Sequence, residues 1–204
     1  MSIRRFVGSR KKGAARQLLV LKELAVNPRD MGSLCPSSTA LAKEMARAVP
    51  ARVKPNDIFI EIGAGTGSVT AALLQRGIPS DRLIVIEKSP ALADCLVSRF
   101  PQVNVSCLGA ESMSKCLNGS ERVRAIVSSL PFRSLPKKSS LSIMAEIERV
   151  LAPRGLFIQF TYALAGEMFF IPPSFKKLRS NIVFLNIPPA KVEVYMKPRS
   201  TSRH

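Results

Sequence analysis

The chain has 204 residues, 46% of them hydrophobic, enough to bury a sizeable core as one catalytic unit. Thirty-one Lys and Arg against fourteen Asp and Glu give a net charge of +17, with basic residues gathered toward both ends, which favours a polyanionic partner: nucleic acid or an anionic membrane surface. Four cysteines without C-x-x-C spacing and a single histidine, His204, argue against zinc and against a disulfide framework, and no apolar run reaches the roughly 18–20 residues of a membrane span.

In chain order, the apolar spacing of Leu18, Leu21 and Ala25 predicts an amphipathic helix over 13–26, broken by Asn27-Pro-Arg-Asp30. A second helix follows Ser37 or Ser38 and runs through Ala48, with Leu41 and Met45 on its buried stripe. Strands are expected over 57–62, 83–87, 103–107, 124–129, 155–161, 181–185 and 191–196, and helices over 68–76, 89–99 and 139–151. Strands alternating with helices imply a parallel α/β sheet, whose ligands sit at the carboxyl ends of its strands. Glu61, Glu87, the Ser128-Ser129-Leu130-Pro131 turn and Tyr162 all map to that edge.

The first strand carries the main motif, Glu61-Ile-Gly63-Ala-Gly65-Thr-Gly67, followed by a helical pattern. Glycines at a strand-to-helix turn let the backbone bend sharply and approach a ligand closely. The second apolar run ends in Glu87, twenty residues beyond Gly67, where a carboxylate can hold a ribose diol. The dinucleotide pattern G-x-G-x-x-G is not met, because Ser68 occupies the third glycine position, and no nucleoside-triphosphate loop is present. E-x-G-x-G-x-G resembles motif I of S-adenosylmethionine-dependent methyltransferases. Its bland alternative is a tight turn with a solvated glutamate.

The fourth strand ends in Ser129-Leu130-Pro131-Phe132, at the position where amino-methyltransferases of adenine carry N-L-P-Y or N-P-P-Y. Ser129 stands in place of the Asn, and its hydroxyl is too short to supply the amide carbonyl that receives adenine's amine. Phe132 offers an apolar or cation–π wall beside an amine, or simply a core phenylalanine under a proline turn.

Together with Asn27-Pro-Arg-Asp-Met-Gly-Ser-Leu-Cys-Pro-Ser-Ser38, Glu87-Lys-Ser-Pro-Ala-Leu92, Leu151-Ala-Pro-Arg-Gly155, Gln159-Phe-Thr-Tyr162 and Asn186-Ile-Pro-Pro-Ala-Lys-Val-Glu-Val-Tyr195, these motifs are similar to those of the bacterial phospholipid N-methyltransferases, relatives of the rRNA adenine dimethyltransferases. The resemblance runs from about residue 18 to 197. It implies a class I S-adenosylmethionine-dependent methyltransferase fold, a Rossmann-like seven-stranded sheet with helices on both faces. It also implies methyl transfer from S-adenosylmethionine to the amine of phosphatidylethanolamine, toward phosphatidylcholine, with no metal. Under it, 1–30 is a basic amphipathic segment, 31–197 the methyltransferase domain and 198–204 a disordered basic tail. Gly63, Gly65 and Gly67 line the cofactor with Glu61, Glu87 takes the ribose, and Ser129 lies near the methyl donor. Ser33 and Cys35 fall in a segment that closes over the cofactor in the rRNA relatives. The G-D-A that usually follows the third strand is here Gly109-Ala110-Glu111, so Ala110 replaces the Asp that contacts the adenine amine, and the resemblance leaves two alternatives, a weakened hold on the cofactor or Glu111 as the substitute.

A sulfonium is already a strong electrophile, so the protein's main task is alignment. The acceptor's proton is the obstacle, since an alkylammonium with a pKa of about 10 is mostly charged at neutral pH. Tyr162 is the first candidate for orienting the amine, against the alternative of a core tyrosine with a wet hydroxyl; Glu167 is a weaker one. The basic ends would dock on anionic lipid, with the 13–26 helix in the interface or, alternatively, packed on the sheet. The expected location is cytoplasmic, peripheral on the inner face of the cell membrane, given the lack of a signal-peptide pattern. The rival readings are an rRNA adenine methyltransferase, which Ser129 disfavours, and a non-catalytic binding protein, which Ala110 allows.

Overall fold

The computed structural model describes residues 39–165, 168 and 170–199. The expected helix over 13–26, the cap at Ser37 or Ser38, and the candidates Ser33, Cys35 and Glu167 lie outside those residues, as does most of the 198–204 tail. Seven strands, β1 (Asp57–Ile62), β2 (Leu83–Glu87), β3 (Asn104–Cys107), β4 (Arg122–Ser128), β5 (Leu151–Thr161), β6 (Lys176–Val183) and β7 (Ala190–Met196), form one sheet in the order β3-β2-β1-β4-β5-β7-β6. The first five strands pair in parallel, and β7 runs antiparallel to both β5 and β6. Helices α1 (Thr39–Ala48), α2 (Ser68–Gln75), α3 (Pro90–Arg99) and α4 (Lys137–Val150) cover the two faces. This is the class I methyltransferase architecture.

The pleat sorts the strand residues between the faces. Phe59, Val85, Val127, Ile158 and Phe160 pack with Leu41 and Met45 of α1, Val69 and Leu73 of α2 and Leu96 of α3. Ile60, Ile62, Ile86, Ile126 and Phe157 pack on the other side with Ile143, Met144 and Ile147 of α4 and with Met113. Central strands buried on both faces read as near-continuous apolar runs, and every residue of β1 and β2 is buried. α3 begins where Ser89 Oγ accepts from Leu92 N at 3.5 Å and Pro90 takes the first turn.

Three elements depart from expectation. β6 starts at Lys176, five residues before the predicted 181, because it is an edge strand whose side chains are almost all exposed, and its Lys-Lys-Leu-Arg start has no apolar alternation to betray it. β5 starts at Leu151, four residues before the predicted 155; Pro153-Arg154-Gly155 forms a bulge inside it, with Arg154 at φ 61° and its N–H bonded to Lys197 O at 3.1 Å. A 3-10 helix over Ala110–Cys116 follows β3.

Candidate active site

Gly63 N donates to Ile86 O at 2.9 Å, which seats the loop after β1 against the end of β2. Of the loop's glycines, Gly67 (φ 83°) is packed: a Cβ there would lie 2.5 Å from Phe100 Cε2. Gly65 (φ 57°) differs, since nothing lies within 4 Å of where its Cβ would be. Its backbone therefore borders open space, as a loop that receives a ligand must. Glu87 is fixed beside it. Its Oε2 accepts from Gly65 N and its Oε1 from Ser89 N, both at 2.9 Å. Each oxygen keeps lone-pair capacity for a diol.

Glu61 is fully buried, with Oε2 accepting from Thr70 Oγ1 at 2.6 Å and Oε1 lacking a hydrogen-bond partner. Burial pushes its pKa up to about 7; the Thr70 hydrogen bonds oppose that and the Glu87 charge adds to it. An orphaned buried carboxylate oxygen, an open glycine backbone and an oriented carboxylate at the end of β2 together fit a cationic, ribose-bearing cofactor.

β1 and β4 are neighbours at the switch point of the sheet, where a crevice opens at the carboxyl ends of the strands. Ser129 N donates to Ile62 O at 3.0 Å, and a Cβ on Gly63 would meet Leu130 Cδ2 at 2.5 Å, so the glycine loop and the Ser129-Leu130-Pro131 turn abut. Ser129 Oγ is buried without a hydrogen-bond partner. Beside it, Gln159 Nε2 donates to Leu130 O at 2.9 Å and to Phe160 O at 2.7 Å, leaving Gln159 Oε1 buried and unpartnered. The sequence alone points to no role for Gln159. Its one signal was an amide within the otherwise apolar run Leu156-Phe-Ile-Gln-Phe160.

Next to these acceptors lies a cleft lined by Pro131, Phe132, Gln159, Phe160, Tyr162 and Phe170. Tyr162 is half-buried and meets Phe160 edge-on, with ring centroids 5.4 Å apart. Phe132 is 2% exposed and stacked on Phe170 at 4.3 Å, so its ring belongs to the floor of the cleft and to the core beneath, more than to a free-standing wall beside an amine. Ala110 is buried at the start of the 3-10 helix, and Glu111 folds its carboxylate back over Gly109, where a Cβ would collide with it. The described residues contain no group of three or more His, Cys, Asp or Glu side chains that could hold a metal ion.

The Methyltransferase domain family matches residues 59–155, which spans β1 to the start of β5. An ornithine lipid N-methyltransferase of Singulisphaera acidiphila is 32% identical over 173 residues, covering 78% of this chain and 85% of that protein. A probable ribosomal RNA small subunit methyltransferase A of Methanosarcina acetivorans is 33% identical over 117 residues, covering 52% of this chain but only 42% of its own length. Among solved structures, the N-methyltransferase NodS of Bradyrhizobium japonicum, in complex with S-adenosyl-L-homocysteine, superposes with a TM-score of 0.63 at 14% identity over 90% of this chain and 99% of that one. The last likeness is one of fold.

Proposed function

The chain belongs to the bacterial lipid N-methyltransferase family, it is an S-adenosylmethionine-dependent methyltransferase, and from that premise we propose that it methylates the headgroup amine of phosphatidylethanolamine, toward phosphatidylcholine, at an anionic membrane surface. Its place would be the cytoplasmic face of the membrane, held peripherally. The observation that carries the acceptor class is an unpartnered buried oxygen, Gln159 Oε1, on a residue that lines a cleft walled by aromatic rings, with a second, Ser129 Oγ, in the turn that leads into that lining at Pro131.

The cofactor supplies a methyl group on a sulfonium, already activated for displacement. Gly65 and Glu87 would hold its ribose side, with the Glu61 carboxylate beneath. For the acceptor, Ser129 Oγ and Gln159 Oε1 would accept N–H bonds from the amine and orient its nitrogen, and Tyr162 would bound the opposite side. The apolar rings around the cleft disfavour the ammonium form, raising the fraction of neutral amine that can react. Neither oxygen acts as a strong base; the excess proton leaves to solvent before transfer. Ser129 is a poorer frame for planar adenine than the amide of the rRNA relatives, which favours a flexible alkylamine.

A second reading, favoured by the Singulisphaera relative, is that the acceptor is the amine of an ornithine lipid. Purified protein given radiolabelled S-adenosylmethionine with phosphatidylethanolamine/anionic-lipid vesicles, ornithine-lipid vesicles and rRNA in parallel decides between them. Label in phosphatidylethanolamine is expected. Label only in ornithine lipid selects the second reading, and label in rRNA overturns both.

A further inference from the structure

We propose that the tip of the β6–β7 hairpin inserts into a phospholipid bilayer and brings the cleft down onto its substrate. The choice of a bilayer as occupant rests on the lipid reading above. Phe184, Leu185 and Ile187 are 74%, 83% and 86% exposed, the highest values among the large apolar side chains described as exposed. Single exposed apolar residues are ordinary, but three large ones within four positions are not. The tip is also built: Asn186 is buried, its N–H donates to Val183 O at 3.3 Å and its Nδ2 to Pro188 O at 2.7 Å. The turn folds around that amide, and the apolar neighbours on either side of it stay exposed.

Position gives the tip its meaning. β7 is antiparallel to β5, with Lys191 opposite Thr161, while Val183 pairs with Ala190. The turn between Val183 and Ala190 therefore projects from the carboxyl edge of the parallel strands, the edge that also carries Ser129, Gln159 and Tyr162. Lys191 Nζ donates to Leu164 O at 3.3 Å, tying the loop after β5 to the base of the hairpin. Leu164 and Ile182, 44% and 43% exposed, extend the apolar surface there.

Charge selects the occupant. Arg133, Lys137 and Lys138 are exposed in the turn after β4 and at the start of α4, on the same edge, and the sequence holds no carboxylate between Glu121 and Glu146. Apolar tips beside cations match a bilayer, where the tips enter the acyl boundary and the cations meet phosphates. A headgroup amine stays at the membrane surface, so the cleft has to reach it there.

The full chain contains no tryptophan, so Leu185→Trp places one fluorophore at the tip. On phosphatidylethanolamine/phosphatidylglycerol vesicles its emission is expected to shift to shorter wavelength and to be quenched by lipids brominated on their acyl chains. The triple variant Phe184→Ser, Leu185→Ser, Ile187→Ser is expected to bind such vesicles about a hundredfold more weakly or worse, with an unchanged melting temperature and unchanged affinity for S-adenosylmethionine. Unquenched emission, or equal co-sedimentation of variant and unaltered protein, overturns the proposal. So does a tip that is buried without lipid in a dimer that the triple variant dissolves. The two readings fail separately. Insertion without methylated lipid keeps the anchor and removes the lipid acceptor, whereas equal lipid methylation by both proteins keeps the acceptor and removes the anchor.

Discussion

Gln159 Nε2 donates to Leu130 O across 2.9 Å, joining the end of β5 to the turn that closes β4. Reversing the amide would set its oxygen against two carbonyl oxygens, those of Leu130 and Phe160, so the network itself fixes Oε1 as the free acceptor. Gln159→Leu should lower kcat/KM for the lipid amine about 10- to 100-fold while leaving the dissociation constant for S-adenosylmethionine unchanged. Steady-state kinetics and titration calorimetry check the two quantities. Equal losses in both would make Gln159 a packing residue.

The glycines of the loop should divide by what surrounds them. Gly67→Ala drives a methyl into Phe100 and Leu96 and should destabilise the protein by about 2–4 kcal/mol, seen as a lower urea midpoint. Gly65→Ala meets nothing within 4 Å, so only the left-handed backbone cost of about 1–2 kcal/mol applies. Its larger effect should be on cofactor affinity, because the added methyl occupies the space the loop leaves open. Unaltered affinity in Gly65→Ala would remove this loop segment from the cofactor site.

Glu61 makes stability depend on pH in an unusual direction for a carboxylate. Its folded pKa, raised from 4.5 to about 7 by burial, means the native state holds this proton more tightly than the unfolded chain does. Stability contributed by this group is therefore full below the unfolded value and falls as pH rises toward the folded one, by about 3 kcal/mol in all. In cofactor-free protein, Glu61→Gln should flatten that slope and raise stability at about pH 8, measured by urea unfolding across the interval. A variant whose slope matches the unaltered protein would place the titration elsewhere.

Glu193 is the opposite case. Buried in the middle of β7, it pairs with Lys177 at 3.0 Å and Lys191 at 3.2 Å and accepts from Tyr195 OH at 2.8 Å. Burial alone would raise its pKa, but the hydrogen bonds from Lys177, Tyr195 and Lys191 together outweigh burial and hold it below the usual carboxylate range. Its stability contribution is thus present at neutral pH and is lost as pH falls through the folded carboxyl range. Glu193→Gln should cost about 2–4 kcal/mol at neutral pH, less than a wholly buried pair because Lys177 reaches solvent. Thermal unfolding with and without acid separates this loss from a simple packing defect.

The order of elements, the glycine loop, Glu87 at the end of β2 and the two-sided core were legible in the chain. They rest on local rules: period-two alternation, apolar runs of strand length, and glycine where φ must be positive. What the chain could not express was pairing. The exposed start of β6 and the bulge in β5 are strand only because β7 lies beside them. Gln159 reads as one polar residue in an apolar run until Leu130 and Phe160 are brought to its amide. Phe184 and Leu185 read as the end of a strand over 181–185, and hydrophobicity alone would bury them. Only the tertiary structure ends β6 at Val183 and carries them beyond the sheet, because burial is decided by the neighbours a side chain meets and not by the side chain itself.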